Sequence, residues 1–373
     1  MKVIINAASI YKGGAEQVVN SFINECRDIP GNEYHIFLCD NIMCALDRNS
    51  FSDNFYFYEL EKRPGTSYYN LYKTLRYFDQ LEKEIEPDAV ISTGGHGYWK
   101  PNNAPIVTAF NIPHYIYPES PYFDMVPFKK KVYWKIKKRF DLSFYKHSDA
   151  IIVQTDDVNQ RVKKLLPNVQ VHTVSNTVNG VFMDSPEKER KLPSKKGNEI
   201  RLLTVSSNYP HKNLEIIKEV IDELFSVDIY NIKFVLTLPE DAFDKKFGEL
   251  NYCENIINVG PVPIEECPSL YDECDMMFLP TLLECFSASY VEAMAMRKPI
   301  LTSDLDFAHT ICKDAAVYFD PVDANDIASK VIELVEDEDL QDKLKKKGTD
   351  IYHSINTPRE RAQSFLKICE SII

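Results

Sequence analysis

Short β-branched runs alternate with amphipathic stretches along nearly the whole chain, and the alternation lapses once. Val3 to Ile5, His35 to Leu38, Ala89 to Ser92, Ile106 to Phe110, Ala150 to Val153 and Val169 to Val171 read as strands, with a helix-like stretch from Ala15 to Cys26. Between Asn176 and Asn198 the pattern gives way to Pro, Lys, Glu and Ser, the composition of a linker. Strand-like runs resume at Ile200 to Val205, Ile232 to Leu236, Ile256 to Val259, Met276 to Leu279, Pro299 to Thr302 and Val317 to Phe319, and everything from Asp323 onward reads as helix. Such alternation belongs to α/β folds with doubly wound sheets. A chain of 373 residues is long for one core. The prediction is a Rossmann-like domain over 1–175, a linker over 176–198 and a second Rossmann-like domain over 199–356.

Composition narrows the function classes. Hydrophobic residues at 44% and charged residues at 27% describe a soluble globular protein. A net charge of −13 argues against a general nucleic-acid binder. No apolar run is long enough to cross a bilayer, and Met1 to Asn6 is too short for a signal sequence, so it reads as a first strand. The nine cysteines are odd in number and scattered, with no C-x-x-C pair, so neither a disulfide framework nor a zinc site is suggested and a reducing cytoplasm is the expected home. Cys285 has no histidine near it in sequence to activate it and reads as packing.

Chemistry concentrates in Pro280 to Ala295, where Glu284 and Glu292 stand eight positions apart across an expected strand-to-helix junction. The loop after a strand, feeding a helix N-terminus, is where α/β proteins hold anionic ligands. Ser287 and Ser289 are the expected N-cap region. Eight helical steps would separate the carboxylates by roughly 12 Å, the reach of an extended nucleotide-sugar. The spacing predicts two grips on a long ligand, with helix amides for its diphosphate between them.

This segment, E-x-F-x-x-x-x-x-E-A-M-A, resembles the nucleotide-binding signature of the retaining GT-B glycosyltransferases of family 4, with Ser287 where the family usually has Gly. The resemblance extends over most of the chain. It implies a GT-B fold, two Rossmann-like domains facing a cleft, with a last helix, 357–373, crossing back onto the N-terminal domain. It assigns Glu284 to donor-sugar hydroxyls, Glu292 to the ribose, and Phe286, Ser287, Ala288 and Ser289 to the diphosphate through their amides. Lys212 in Pro210-His211-Lys212-Asn213 matches the family's phosphate-neutralising lysine, while the accompanying arginine falls on Ser206 or Ser207 and is missing. Gly13 and Gly14 resemble the family's glycine loop near donor phosphate and acceptor. The histidine that many relatives place after the strand Ile106 to Phe110 is Asn111 here, with His114 three residues on. His114 next to Pro113 and Tyr115 also fits a structural role. The loop Thr93 to Trp99, with His96, is a candidate acceptor wall.

The implied function is retaining transfer of a sugar from a nucleoside diphosphate sugar to an oligosaccharide or lipid-linked acceptor in surface polysaccharide synthesis, with no cofactor, no metal and no nucleic-acid partner. Asp304-Leu305-Asp306 has a D-x-D shape but reads as a turn or helix cap. A nucleotide-sugar epimerase of GT-B shape and a non-catalytic nucleotide-sugar binder are the alternatives. Seven cations interleaved with aromatics over Phe128 to Phe140 fit either a helix lying on an anionic membrane or one that buries Tyr133, Ile136 and Phe140 with solvated lysines. The first option would make the enzyme cytoplasmic and peripheral.

Overall fold

The computed structural model describes residues 1–10, 14–39, 46–183, 189–248 and 254–373. Two units account for them: Met1–Pro118, Val126–Thr177 and Asn356–Ile373 form the first, and Glu119–Met125 with Val178–Ile355 the second.

In the first unit the strands are β1 (Lys2–Asn6), β2 (Glu33–Cys39), β3 (Phe55–Leu60), β4 (Ala89–Ser92), β5 (Ile106–Ala109), β6 (Ala150–Val153) and β7 (Gln170–Thr173). They pair in parallel in the order β3-β2-β1-β4-β5-β6-β7. A parallel sheet is covered on both faces, which is why β1 is apolar at every central position. Val3 and Ile5 pack with the Gly14–Cys26 helix and with Phe365, Leu366 and Cys369 of the last helix, whereas Ile4 faces Phe37, Phe78 and Trp99 on the other side. β3 escaped the sequence reading because Phe55-Tyr56-Phe57-Tyr58 sets aromatics at every position and hides the period of two. On an edge strand the tyrosines need not be buried, and Tyr56 is exposed.

The last helix, Pro358–Glu370, returns to this unit. Thr357 and Glu360 form a reciprocal capping box, with Pro358 at the first helical position. Phe365 packs on Phe22 with ring centroids 5.1 Å apart, and the buried Arg361 donates to the Val18 carbonyl at 3.0 Å.

The second unit repeats the plan with β8 (Ile200–Thr204), β9 (Ile232–Leu236), β10 (Ile256–Asn258), β11 (Met276–Leu279), β12 (Ile300–Ser303) and β13 (Ala316–Phe319), parallel in the order β10-β9-β8-β11-β12-β13. In each sheet the order reverses beside the first strand, at β1/β4 and at β8/β11, the switch points where doubly wound sheets bind ligands.

Two findings revise the expected boundaries. The later half of the expected linker is tethered to the second unit, where the Glu273 carboxylate accepts the amides of Lys191 at 2.7 Å and Leu192 at 2.8 Å. Glu119–Met125, expected in the first domain, belongs to the second unit instead, with Ser120 and Tyr122 buried there.

Candidate active site

The switch point of the second unit is built from two loops. The one leaving β8 ends in a single 3-10 turn, Pro210–Lys212, closed by Asn213 in the left-handed region (φ 53°), a conformation asparagine tolerates better than most residues. Asn213 is buried and donates its side-chain amide to the Pro321 carbonyl at 2.8 Å, which fixes the turn. The loop leaving β11 runs from Pro280 to Ser287. Its Leu282 amide donates to the His211 carbonyl at 2.7 Å, so the loops are stitched together one residue before Lys212 and two before Glu284.

That stitching brings the Lys212 ammonium and the Glu284 carboxylate together at 2.5 Å. Both side chains are nearly buried, at 12% and 11% exposure, so their attraction is screened far less than that of a surface pair. The Thr281 hydroxyl lies 2.9 Å from the same carboxylate oxygen. Neither the pairing nor Thr281 was legible in the sequence, which gave Glu284 to the donor sugar and Lys212 to the diphosphate separately. A threonine three positions ahead of a loop glutamate is at most a faint turn signal.

The following helix is Ala288–Ala295. Ser287 occupies its N-cap position with extended backbone, but the Ser287 hydroxyl caps none of the first amides, and the Ser289 hydroxyl donates instead to the Val205 carbonyl at 3.3 Å. Phe286, Ser287, Ala288 and Ser289 thus form the entry to a helix whose amide-rich, electropositive end is not satisfied by the serine expected to cap it. Glu292 lies one turn further in and is buried. Burial pushes its carboxyl up to about 7, with the Tyr271 hydroxyl, 3.1 Å away, and the charge of Lys212 pulling it back down. Tyr271 comes from the Cys267–Asp272 helix and carried no signal in the sequence. At the position of the missing arginine, the Ser206 amide donates to the Thr237 hydroxyl at 3.0 Å and its own hydroxyl to the Ser207 carbonyl at 3.0 Å.

The first unit has its own cavity at its switch point, of about 270 Å³, bounded by Ser9, Arg63 to Thr66, Gly94 to Tyr98, Asn111, Ile112, Lys137 and Asp141. Glycine is required at 94, because a Cβ there would stand 2.5 Å from Ile10. Asn111 and His96 share this cavity. His114 does not line it, and its ring stacks on Trp134 with centroids 3.8 Å apart. Gly13 lies outside the described residues, and Gly14 opens the first helix with free space beside it.

Beneath the cavity sits Asp141, a residue the sequence did not flag. It is fully buried, accepts a hydrogen bond from the Tyr115 hydroxyl at 2.6 Å, pairs with the Lys137 ammonium, and has His96 Nε2 3.3 Å away. Burial pushes its carboxyl up, but His96, Lys137 and Tyr115 together outweigh that and hold it down at about 2. The Tyr98 amide donates to His96 Nδ1 at 3.1 Å, leaving the ring proton on Nε2 toward Asp141. Both ring nitrogens are therefore engaged inside the unit.

The basic stretch is one helix, Phe128–Tyr145. Its orientation overturns the packed alternative: Tyr133, Ile136 and Phe140 are 54%, 66% and 51% exposed, and two of the lysines turn inward. Lys137 reaches Asp141, and Lys138 donates to the Tyr115 carbonyl at 2.7 Å. A buried carboxylate and carbonyl attract the cations and rotate the apolar edge outward. Asp304 pairs with His309 at 2.5 Å, and Asp306 opens the Asp306–Cys312 helix. Among the described residues no helix is long and apolar enough to cross a membrane.

Two family profiles match in succession, Glycosyltransferase Family 4 over residues 12–180 and Glycosyl transferases group 1 over residues 184–350. The chain belongs to the GT-B glycosyltransferases. Like it in fold are sucrose-phosphate synthase from Thermosynechococcus elongatus (TM-score 0.76, 14% identity, covering 100% of this chain and 99% of that one) and HepE from Anabaena in complex with UDP-glucose (0.76, 14%, 100% of both). WaaG, a glycosyltransferase involved in lipopolysaccharide biosynthesis, is also similar (0.72, 12%, 99% of both). In sequence, the O-antigen chain mannosyltransferase RfbU of Salmonella typhimurium is 23% identical over 222 residues, 58% of this chain. The match spans 57% of that relative's length. The paired loops at β8/β11 bring Lys212, Glu284 and Thr281 together at the switch point of the second unit.

Proposed function

We propose that this GT-B glycosyltransferase transfers a sugar, with retention of anomeric configuration, from a nucleoside diphosphate sugar to an oligosaccharide acceptor in surface polysaccharide synthesis. The observation that carries the reading is the Lys212–Glu284 pair at the β8/β11 switch point, followed by an uncapped helix entry and then by buried Glu292. Lys212 and the amides from Phe286 to Ser289 would meet the diphosphate, where negative charge grows as the glycosidic bond to phosphate breaks. Glu284 would hold donor-sugar hydroxyls and Glu292 the ribose. In same-face attack the acceptor oxygen bonds to the anomeric carbon while its proton passes to the departing phosphate oxygen, so no protein nucleophile takes part. The sequence relative named for O-antigen synthesis supports the polysaccharide setting.

Thermal-shift screening against UDP-, GDP- and ADP-sugars tests the donor class, because a selective ligand raises the melting temperature by mass action. Proton NMR of the first product then reads the anomeric configuration, and inversion would reject the stereochemical part. Activity should survive EDTA. Loss on chelation, reversed by a divalent ion, would require a metal. A donor epimerised without any acceptor would favour the epimerase reading, and tight donor binding with no turnover the non-catalytic one.

The exposed edge of the Phe128–Tyr145 helix favours an anionic membrane as a partner and a lipid-linked acceptor. Phe128, Val132, Ile136 and Phe140 recur at four-residue spacing, all exposed, among lysines in a chain of net charge −13. Co-sedimentation with anionic vesicles should weaken with salt, since the attraction is screened within a Debye length of about 10 Å at 0.1 M. Ile136→Asp should abolish it while sparing turnover on a water-soluble acceptor. Wild-type protein that ignores anionic vesicles at low salt would remove the membrane from the proposal.

A further inference from the structure

Residues 119–125 come from the first half of the chain, between β5 and the basic helix, yet they pack within the second unit. Their two buried residues meet the two loops that carry Lys212 and Glu284. The Ser120 hydroxyl donates to the Leu282 carbonyl at 2.6 Å. The same oxygen accepts the Tyr122 amide at 3.2 Å, so its single proton is directed at Leu282. Tyr122 sets its ring against that of His211, with centroids 6.3 Å apart and planes at 79°.

The loop these residues hold, 280–287, has no strand or helix of its own to fix it. The peptide before Leu282 is held by the Leu282 amide's bond to the His211 carbonyl at 2.7 Å. Ser120 holds the carbonyl of the next peptide, so both planes flanking the Leu282 Cα are anchored and its φ and ψ have little freedom. Two residues later comes Glu284, and one residue after His211 comes Lys212. We propose that residues 119–125 are a strap that sets the geometry of the Lys212–Glu284 pair, with Ser120 as a positioning residue for sugar transfer. The catalytic consequence rests on the function proposed above, while the positioning itself does not.

The test uses the full chain with Ser120→Ala, and with Ser120→Thr to restore the hydroxyl. Hydrogen exchange needs no donor. In Ser120→Ala the amides of 280–287 should exchange about tenfold faster, with β8 and β11 unchanged, and Ser120→Thr should recover part of the protection. Turnover should fall about tenfold in Ser120→Ala, while affinity for UDP-glucose or GDP-mannose, whichever the wild-type chain uses, stays within about twofold, because misplacement costs the transition state more than ground-state binding. If Ser120→Ala does not fold, Tyr122→Leu should loosen the Pro210–Lys212 turn by the same measure. Unaltered exchange at 280–287 overturns the strap whether or not any donor is found. Faster exchange with wild-type turnover overturns the positioning role. Absence of turnover in the wild-type chain defeats only the function on which the kinetic part rests.

Discussion

The switch points of the two units share a topology but differ in where their charges find partners. At β1/β4 three groups converge on one buried carboxylate: Lys137 and Tyr115 reach Asp141 Oδ2, and His96 lies 3.3 Å from Oδ1, which accepts no hydrogen bond. The β8/β11 switch point is under-supplied by comparison. Glu284 has one ammonium and one hydroxyl, and Glu292 is buried with a tyrosine hydroxyl as its direct partner. A carboxylate met by three groups stiffens the wall beside it, whereas one with fewer partners keeps acceptor capacity. The same fold thus yields a cavity beside a three-partner carboxylate in one unit and a paired lysine and glutamate in the other.

The largest expected effect tests the paired side. Asp141→Ala leaves Lys137 without its buried partner and should destabilise the protein by about 3–5 kcal/mol, read from denaturant unfolding of the first unit. Because the Asp141 carboxyl is held below its ordinary value, the stability it contributes is fully present above about pH 4 and is lost as pH falls toward its folded value of about 2. A variant as stable as wild type would mean that the cluster is not self-sufficient, and the contrast between the units would fail.

Next in size is Lys212→Ala, which should cost roughly 2–4 kcal/mol of transition-state stabilisation and appear in kcat even at saturating donor. A loss confined to donor KM would make Lys212 a binding residue only.

Glu292 gives the smallest effect and the sharpest discrimination. Its folded value of about 7 lies above the ordinary 4.5, so the folded state holds a proton that the unfolded chain releases, and stability falls as pH rises between those values. Glu292→Gln should therefore be more stable than wild type above pH 7, by about 1–3 kcal/mol, and equal to it near pH 4. Donor affinity should move the opposite way. If the ionised carboxylate receives ribose hydroxyls, wild-type affinity rises through pH 7 and then levels, and Glu292→Gln binds weakly without that rise. Calorimetric titration at pH 6, 7 and 8 reads both, and a wild-type affinity flat across that range would separate Glu292 from the donor.

Much of this was legible in the chain itself. Of the thirteen strands among the described residues, twelve fall on expected runs and only β3 was missed; β6 and β11 coincide with Ala150 to Val153 and Met276 to Leu279, because a strand covered on both faces is apolar throughout. The positions of Lys212 and Glu284 after strands and of Glu292 in the helix that follows came from that same periodicity, and their family resemblance from their spacing. Sequence could not pair Lys212 with Glu284 or set Tyr271 beside Glu292, since those contacts join residues 72 and 21 positions apart through the sheet order. Nor could it tell which lysines of the basic helix turn inward. That depended on Asp141 and the Tyr115 carbonyl, and on the low-dielectric interior that makes a buried carboxylate demand a cation. The placement of 119–125 in the second unit was equally hidden, because nothing in seven residues of local sequence reveals that a serine hydroxyl will find a carbonyl 162 residues away. Local periodicity determined the elements, their order and the loops that carry charge; long-range packing alone decided which of those charges meet.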